Sequence, residues 1–432
     1  MASTSLSRTP ASAGNRKTWT WSGWVKRGKI SANNPSLIGV YSNPTQLFIA
    51  FNSSDKLFMQ DFGTVFITTS QVFRDPSAWY HIVISFDSTQ ATSSDRWNLY
   101  VNGEQVTSFD TEVYPSQNYD SAFNSTLTHY VGYNNVSSGY YFDGSMSHVH
   151  FIDGTAYDAS AFGQFDSNGV WTIKTSPSVT YGTNGFFILK DGNSVTDQSG
   201  NSNNFTVGGG TLTNTEDCPS NVFATGNPLS PYVNRTISNG NLTLTSTTTH
   251  WTNLFSTLGV STGKWYVELK ATAGSFHSFG IVNDFPVSEN NVIGDFTSIA
   301  TQQIGYASNT GTKKVNESTS AYGDTWTNGD IISMALDLDN NYIYFAKNGT
   351  WQNSGVPTSG ATGTGGISVN SGYTYFIGAS AYNSSATSFN FGNGYFGTTA
   401  VASAGTNASG IGIFEYDVPT GYTALSTKGL NL

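Results

Sequence analysis

The chain has 432 residues, of which 11 % are charged and 14 % aromatic, and its formal net charge is −10. This length allows about two or three domains, and an acidic balance without a basic patch argues against nucleic acid as a partner. The single cysteine, Cys218, excludes an intrachain disulfide. No run of about 18 or more apolar residues occurs, so we expect no membrane insertion. Residues 1–14 lack the apolar core of a signal peptide, so we expect folding in a reducing cytoplasm.

Short segments that alternate apolar and polar residues predict strands along the first half of the chain. The clearest of these segments are 18–26, 46–52, 56–62, 79–87, 96–103, 128–133 and 145–153. Asn102 and Gly103 stand between two such runs and predict a two-residue hairpin turn. Helical periodicity is nearly absent, and residues 156–163 are the best candidate for a short helix.

The chain changes character after residue 165. One apolar strand, 185–190, stands among turn residues and predicts the closing strand of a first unit. The run VGGG at 207–210 predicts a hinge. A second strand-rich part follows, at 241–246, 264–271, 278–284, 303–308, 330–339, 341–349, 373–380 and 386–392.

These patterns predict an all-β protein made of two tandem antiparallel β-sandwiches. The first sandwich covers residues 1–205, with its core in 1–165 and its closing strand near 185–190. Residues 206–222 form the predicted linker. Residues 223–432 form the second sandwich, which ends in a C-terminal strand and tail.

Several stretches resemble known domain families. The segments TWTWSGWVKRG (18–28), RWNLYVNGEQV (96–106) and FDGSMSHVHFIDGTAYDASAFG (142–163) resemble the laminin-G/concanavalin A-like jelly roll. GKWYVELKAT (263–272) and NGDIISMALDLDNNYIYFAKNG (328–349) resemble the SPRY domain. The resemblance implies a concanavalin-like jelly roll followed by a SPRY sandwich, in which partners generally bind loops at one end. Those loops would include 285–296 and 353–366.

A further resemblance covers nearly the whole chain. The stretches starting at Leu6, Asp217 and Phe414 are similar to pieces of structural proteins of marine tailed phages, particularly cyanophages. This resemblance implies a virion component of fibre or decoration type, assembled in the host cytoplasm with other virion proteins as partners. Phage fibres are commonly trimers, so a homo-trimer is the favoured oligomer.

Strand alternation divides the opening strand into two faces. Trp19, Trp21, Gly23 and Val25 share the apolar face, which we expect to meet the opposing sheet. Trp24 lies on the other face in a row of threonine, serine and lysine residues. The same alternation in 145–153 predicts that Val149 and Phe151 point inward and that three residues point outward, namely Met146, His148 and His150.

In the laminin-G-like arrangement the opening and closing strands would be neighbours. Trp24, His148 and His150 would then form one exposed patch that stacks on a sugar ring or packs on another virion subunit. The alternative is that the N-terminal segment of the chain covers Trp24.

The sequence predicts no enzyme and no cofactor. Hydrolysis of glycosides needs two carboxylates that flank the bond, and the strand pattern Glu-x-Asp-x-x-Glu is missing. Asp337 and Asp339 have a same-face spacing, but they lie at a turn where aspartate is favoured for structural reasons. Neither a Gly-x-Ser-x-Gly elbow nor a Walker loop occurs.

Two groups of residues are weak metal candidates. His148 and His150 could share a metal ion, but no glutamate follows them closely and the next histidine is His250. The oxygen donors of Asp191, Asn193 and Asp197 have a spacing that calcium loops use, although no glutamate closes the loop. The alternative for this segment is a turn rich in Asp and Asn.

The leading hypothesis is therefore a non-enzymatic phage virion surface protein that attaches to host-surface glycans. A purely structural virion subunit, which cements or decorates the capsid or tail, is the alternative. A polysaccharide-degrading enzyme is a minor alternative.

Overall fold

The computed structural model describes residues 3–137, 139–190, 195–285, 290–298 and 302–432. The chain folds as two compact units, Met1–Asn214 and Thr215–Leu432. Strands make up 42 % of the structure and helical turns 4 %, which confirms the all-β fold class. The boundary between the units falls within the predicted linker.

Antiparallel strands build the first unit. In the part of the chain that the structure describes they are β1 (Ser5–Arg8), β2 (Thr18–Arg27), β3 (Ser36–Ser42), β4 (Thr45–Phe51), β5 (Lys56–Asp61), β6 (Thr64–Val72), β7 (Trp79–Asp87), β8 (Trp97–Val101), β9 (Glu104–Gln105), β10 (Phe109–Glu112), β11 (His129–Val131), β12 (Gly144–Asp153), β13 (Gly163–Phe165), β14 (Trp171–Ile173), β15 (Phe186–Ile188) and β16 (Thr206–Gly208). Short 3₁₀ turns occur at Ser93–Asp95 and Ala159–Ala161.

These strands form two sheets and a small ribbon. One sheet has the order β10-β6-β5-β4-β3-β11-β1-β16, and the other has the order β15-β12-β2-β7-β8-β9. β13 and β14 pair as a separate ribbon. The helical turn predicted within 156–163 is confirmed at Ala159–Ala161, where the Asp158 carboxylate accepts a hydrogen bond from the Ser160 amide.

The core of the first unit lies between its two sheets. β2 contributes Trp19, Trp21 and Val25, which are fully buried, and Trp19 stacks on Phe86 with ring centroids 4.8 Å apart. β2 pairs with β12 on one side and β7 on the other. This confirms that Trp19, Trp21 and Val25 point inward. It also confirms that the opening strand is a neighbour of the strand predicted at 145–153.

The predicted hinge at 207–210 begins inside a strand. β16 pairs antiparallel with β1, with Ser5 opposite Gly208, so residues 206–208 belong to the first unit. Gly209 and Gly210 follow with φ angles of 68° and 58°, which favour glycine. A Cβ atom on Gly210 would lie 2.3 Å from Thr4 Oγ1. The glycines therefore allow a tight packed turn, and the hinge prediction is wrong for this segment.

The second unit is also built from strands. Its described residues form β17 (Arg235–Ser238), β18 (Thr243–Ser246), β19 (Thr252–Val260), β20 (Lys264–Ala273), β21 (His277–Val282), β22 (Gln303–Ala307), β23 (Thr312–Val315), β24 (Ser318–Ala321), β25 (Ile331–Asp337), β26 (Tyr342–Lys347), β27 (Thr350–Trp351), β28 (Ile367–Ser368), β29 (Tyr375–Ala381), β30 (Ala386–Asn390), β31 (Tyr395–Phe396), β32 (Thr399–Ala400) and β33 (Thr423–Ala424). Short 3₁₀ turns lie at Gln352–Ser354, Pro357–Thr362 and Gly429–Asn431.

Two sheets again enclose a core. One has the order β17-β18-β30-β20-β25-β26-β27, with β28 on β26 and β33 parallel to β20, and the other has the order β19-β29-β21-β22-β23-β24. Apolar residues of β20 and β25 alternate into the core between them, for example Leu269 and Met334. β31 and β32 form a separate ribbon.

The two aspartates at the turn between β25 and β26 have structural roles. The Asp337 carboxylate is fully buried, pairs with Lys264 Nζ at 2.9 Å and accepts a hydrogen bond from the Asn340 amide at 2.9 Å. Asp339 accepts a hydrogen bond from the Gly263 amide at 2.8 Å. These contacts fix the β19–β20 and β25–β26 connections against each other.

A buried carboxylate anchors the C-terminal segment of the second unit. Glu268 of β20 points away from the main core and accepts hydrogen bonds from the amides of Glu415 and Tyr416, each at 2.9 Å. Its other partners are Tyr266 Oη and Asn390 Nδ2, each at 3.2 Å. Burial raises the pKa of Glu268 to about 7, against the opposing effect of the two amides.

The raised pKa of Glu268 predicts that the second unit loses stability as the pH rises. Below pH 4.5, which is the ordinary pKa of glutamate, the Glu268 carboxyl is protonated in both the folded and the unfolded chain. Between pH 4.5 and about 7 the unfolded chain releases it and the folded chain keeps it, so the free energy of unfolding falls. The total loss is about 3 kcal/mol and levels off above pH 7.

Glu268→Gln provides the test, because glutamine has nearly the same shape and does not titrate. Hydrogen exchange of the β20 amides at several pH values, corrected for intrinsic exchange, measures the stability of this unit. The variant should lose the pH-dependent part and show a constant cost of about 1 kcal/mol for one mismatched hydrogen bond. An equal slope in both proteins would contradict the prediction.

Candidate functional site

The predicted patch of Trp24, His148 and His150 is buried. Their exposed fractions are 4 %, 6 % and 2 %. Trp24 stacks on His81 with ring centroids 4.8 Å apart, and His150 stacks on Phe187 at 4.0 Å. The prediction that these residues form an exposed recognition surface is therefore wrong.

The face of β2 that carries Trp24 is covered by the segment around Trp171. The alternative that the N-terminal segment covers Trp24 is therefore wrong. Trp171 of β14 stacks on His81, and its Nε1 donates a hydrogen bond to His81 Nδ1 at 3.0 Å. The Trp171 ring packs directly against Gly103 and Gly163. Any larger residue at these positions would clash, because its Cβ atom would lie 2.3 Å from the ring at position 103 and 2.4 Å from it at position 163. Trp24, His81 and Trp171 thus form a continuous stack.

Burial disfavours the charged form of His81 and His150. Burial, with a smaller effect of His148, lowers the pKa of His81 to about 3. Burial also lowers the pKa of His150 well below its ordinary value, and its Nδ1 lies 2.9 Å from Tyr181 Oη. Among the described residues no group of three or more His, Cys, Asp or Glu side chains could hold a metal ion.

An irregularity in β12 changes the faces predicted for 145–153. The pairing of β12 with β2 shifts register between Ser147 and His150, and His148 has a φ angle of 48°. This bulge adds a residue, so Met146 packs on the core side. The outward prediction for Met146 is wrong, whereas the inward prediction for Val149 and Phe151 is confirmed.

Of the three calcium candidates, the structure describes Asp197. Asp191 and Asn193 lie outside the described residues. The Asp197 carboxylate accepts hydrogen bonds from the amides of Phe187, Ser199 and Asn203 at 2.8, 2.9 and 2.8 Å. Asp197 therefore stabilises a local turn, and calcium binding by the three residues stays a prediction.

The candidate site of the first unit is an open groove at the edge of the sandwich. It lies where the chain crosses from β9 in one sheet to β10 in the other, and its volume is about 340 Å³. We call it the edge groove, and its lining residues are Ser70, Gln71, Val101, Asn102, Glu104, Gln105, Val106, Thr107 and Ser108.

Local turn geometry positions the edge groove. Asn102 and Gly103 have φ angles of 50° and 87°, which confirms the predicted hairpin turn between β8 and β9. Asn102 Oδ1 accepts a hydrogen bond from the His81 amide at 2.8 Å. Ser70 Oγ donates a hydrogen bond to Ser108 Oγ at 2.7 Å, which joins the two sides of the groove.

Most of the lining side chains carry hydroxyl or amide groups. Glu104 is the carboxylate among them, and within the described residues it has no ion-pair partner. The exposed side chains of Gln71 and Thr107 are likewise free to meet a ligand. A groove with these groups can exchange hydrogen bonds with a polyhydroxylated ligand. The hairpin turn is the sequence signal that could have indicated it.

The loops expected to bind partners in the second unit are in part packed. Tyr422 Oη donates a hydrogen bond to the Pro357 carbonyl at 2.9 Å, and Gly363 lies against the Tyr342 ring. This places much of 353–366 on the face of its own sheet. Residues 286–289 of the other loop lie outside the described part of the chain.

Comparison with known families identifies two domains. Residues 2–160 match the family Laminin_G_3, described as the concanavalin A-like lectin/glucanases superfamily. Residues 264–393 match the SPRY domain. The chain therefore carries a concanavalin-like domain followed by a SPRY domain, and this combination fits a carbohydrate- or protein-binding role.

Solved structures similar to this chain include the SPRY domain of human HERC1, with 16 % identity, a TM-score of 0.29, and coverage of 38 % of this chain and 96 % of that one. A human SPRY domain has 12 % identity, a TM-score of 0.28, and coverage of 36 % and 94 %. Stonustoxin has 13 % identity, a TM-score of 0.29, and coverage of 39 % and 27 %. No curated protein matches the chain. None of the described helices has the length and apolar character to span a membrane.

Proposed function

We propose that the chain is a non-catalytic surface protein of a tailed-phage virion, of fibre or decoration type, that binds host-surface glycans. The edge groove is the observation that carries the proposal. It presents hydroxyl, amide and carboxylate groups on a concanavalin-like domain, and these are groups that hydrogen-bond sugar hydroxyls. The sequence resemblance to phage structural proteins supports the virion setting.

The chemistry of the groove favours binding over hydrolysis. Glycosidases place two carboxyl groups about 5–10 Å apart across the scissile bond. Among the described residues that line the edge groove, Glu104 is the one carboxylate, so a bound sugar would be held without the acid–base pair that cleaves it. We propose a cytoplasmically assembled homo-trimer with other virion proteins as partners.

Thr107→Trp tests the groove, because the exposed threonine lies in its lining and an indole there would fill the space. We expect the variant to lose about tenfold or more of the affinity of the full chain for its ligand on a glycan array or isolated host envelope. Thr64→Trp is the matched control. It lies on the same strand as Ser70, about 20 Å away.

Equal binding by Thr107→Trp and Thr64→Trp would exclude the edge groove as the glycan site. No glycan binding by the wild type, with stoichiometric amounts of the chain in purified particles, would favour a structural subunit. Release of reducing sugars from host polysaccharide would show an enzyme.

A further inference from the structure

Three aromatic side chains from separate loops meet at one end of the second unit. Trp251 precedes β19, Phe276 precedes β21, and Tyr382 follows β29. The Trp251 and Tyr382 ring centroids are 5.2 Å apart, and those of Phe276 and Tyr382 are 5.6 Å apart. Phe276 is 37 % exposed, and the other two are half-buried. We call these three residues the aromatic cluster.

The polar tips of the aromatic cluster are available to a ligand. Within the described residues, neither Trp251 Nε1 nor Tyr382 Oη takes part in a hydrogen bond. Aromatic residues elsewhere in this unit behave differently. Trp265 Nε1 donates to the Thr262 carbonyl at 2.8 Å, and Tyr375 Oη donates to the Asn370 carbonyl at 2.7 Å.

Backbone hydrogen bonds hold the three loops together. The Tyr382 amide donates to the Phe276 carbonyl at 3.2 Å, and the Asn383 amide donates to the Thr248 carbonyl at 3.1 Å. The Phe276 amide donates to Ser385 Oγ at 3.2 Å. A site that is already ordered loses little conformational entropy when it binds. The rings are thus presented in a fixed arrangement.

The three loops that carry the rings are uncharged, and a fourth loop contributes Asn290, whose Oδ1 accepts a hydrogen bond from the Trp251 amide at 2.7 Å. Segments 247–251, 272–276 and 382–385 contain no Lys, Arg, Asp or Glu. Thr247, Thr248, Thr249, His250, Asn383 and Ser384 are exposed there. They place hydroxyl, amide and imidazole groups around the rings, and these groups can exchange hydrogen bonds with a neutral polar ligand.

We infer that the aromatic cluster is a second ligand site that binds a neutral carbohydrate ring. An apolar C–H face of the sugar stacks on the Trp251 and Tyr382 rings, and its hydroxyls meet the free tips of these residues. A protein partner needs about 800 Å² on each side of a stable interface. The three rings are partly covered and lie within a polar surface, whereas the centre of a protein interface is mostly apolar, which favours a small ring as the ligand.

This site is independent of the edge groove, since it rests on different residues in the other unit. Two separate glycan sites on one chain would raise the strength of its attachment to a surface that displays many glycans.

Trp251→Ala in the full chain tests the inference with cellohexaose, maltohexaose and chitohexaose as neutral probes. We expect about a tenfold or greater loss of affinity in calorimetric titration for whichever probe the wild type binds. Tyr373→Ala is the control, because Tyr373 is an exposed aromatic residue of the same unit that precedes the opposite end of β29. Because Thr107→Trp fills the edge groove, titrating Trp251→Ala in both the wild-type and the Thr107→Trp background separates the two sites: the loss caused by Trp251→Ala should persist when the groove is filled.

A second variant, Tyr382→Phe, removes a hydroxyl and no buried packing, so a failure to fold cannot explain its result. We expect an affinity loss of about fivefold, the size of one hydrogen bond. Wild-type affinity in both Trp251→Ala and Tyr382→Phe would overturn the inference. It would also be overturned if the wild type bound none of the probes, or if Trp251→Ala abolished binding to a virion protein and left sugar binding intact.

Discussion

Replacing Asp55 by asparagine should lower the free energy of unfolding of the first unit by about 3–5 kcal/mol. Asp55 and Arg27 form an ion pair with 2.9 Å between Oδ1 and Nη2, and both side chains are fully buried. Asparagine would leave the guanidinium buried without a countercharge. Arg27 cannot turn to water, because it also donates to the carbonyl groups of Phe73 and Lys29 and lies 4.3 Å from the Phe51 ring centroid.

The two partners should have unequal effects. Arg27→Met leaves Asp55 with Arg74, whose Nε is 2.9 Å from Oδ2, and with the Ser31 amide. Its cost should therefore be smaller than that of Asp55→Asn. These remaining donors also explain why the pKa of Asp55 is lowered although burial alone would raise it.

Asp110→Asn is the control for the ion pair, because Asp110 pairs with Lys56 at the surface and is 47 % exposed. Solvent-exposed ion pairs contribute about 0–1 kcal/mol to the free energy of unfolding. Hydrogen exchange of the β4 and β5 amides in increasing urea gives the free energy of unfolding of this unit alone. A cost of Asp55→Asn no greater than that of Asp110→Asn would contradict the prediction.

The strands of both units could be predicted because the patterns that encode them lie within short stretches of sequence. A period of two along β2 assigns Trp19 and Trp21 to the core, and the dipeptide Asn102-Gly103 encodes a turn whose positive φ angles few other residues adopt. The sequence of β20 and β25 likewise indicated the second sandwich. Each of these features depends on residues that are near one another in the chain.

The candidate sites depend on contacts between distant residues. Ser70 and Ser108 form opposite sides of the edge groove, and Trp251, Phe276 and Tyr382 come from three loops. No local pattern relates them. The burial of Trp24 is also a long-range effect, since alternation placed it correctly on the outer face and could not show that Trp171 would dock above His81.

Trp24→Ala should therefore act on stability, with an expected loss of about 3–5 kcal/mol in the free energy of unfolding of the first unit. The indole fills space against His81 and is almost fully buried, so truncation leaves a cavity inside the stack with Trp171. Glycan affinity of the remaining folded protein should stay at the wild-type value, because Trp24 does not line the edge groove.

Trp24→Phe separates packing from hydrogen bonding at the same position. In the described part of the chain no acceptor reaches the buried Trp24 Nε1, so phenylalanine loses no hydrogen bond and removes an unsatisfied donor. We expect a cost of about 1 kcal/mol or less, and a change within about 0.5 kcal/mol for Phe62→Ala, an exposed ring elsewhere in the unit. Urea-dependent hydrogen exchange of the β2 amides measures all three variants. If Trp24→Ala kept wild-type stability and lost glycan binding, Trp24 would be a recognition residue after all, and the segment that carries Trp171 would have to open to expose it.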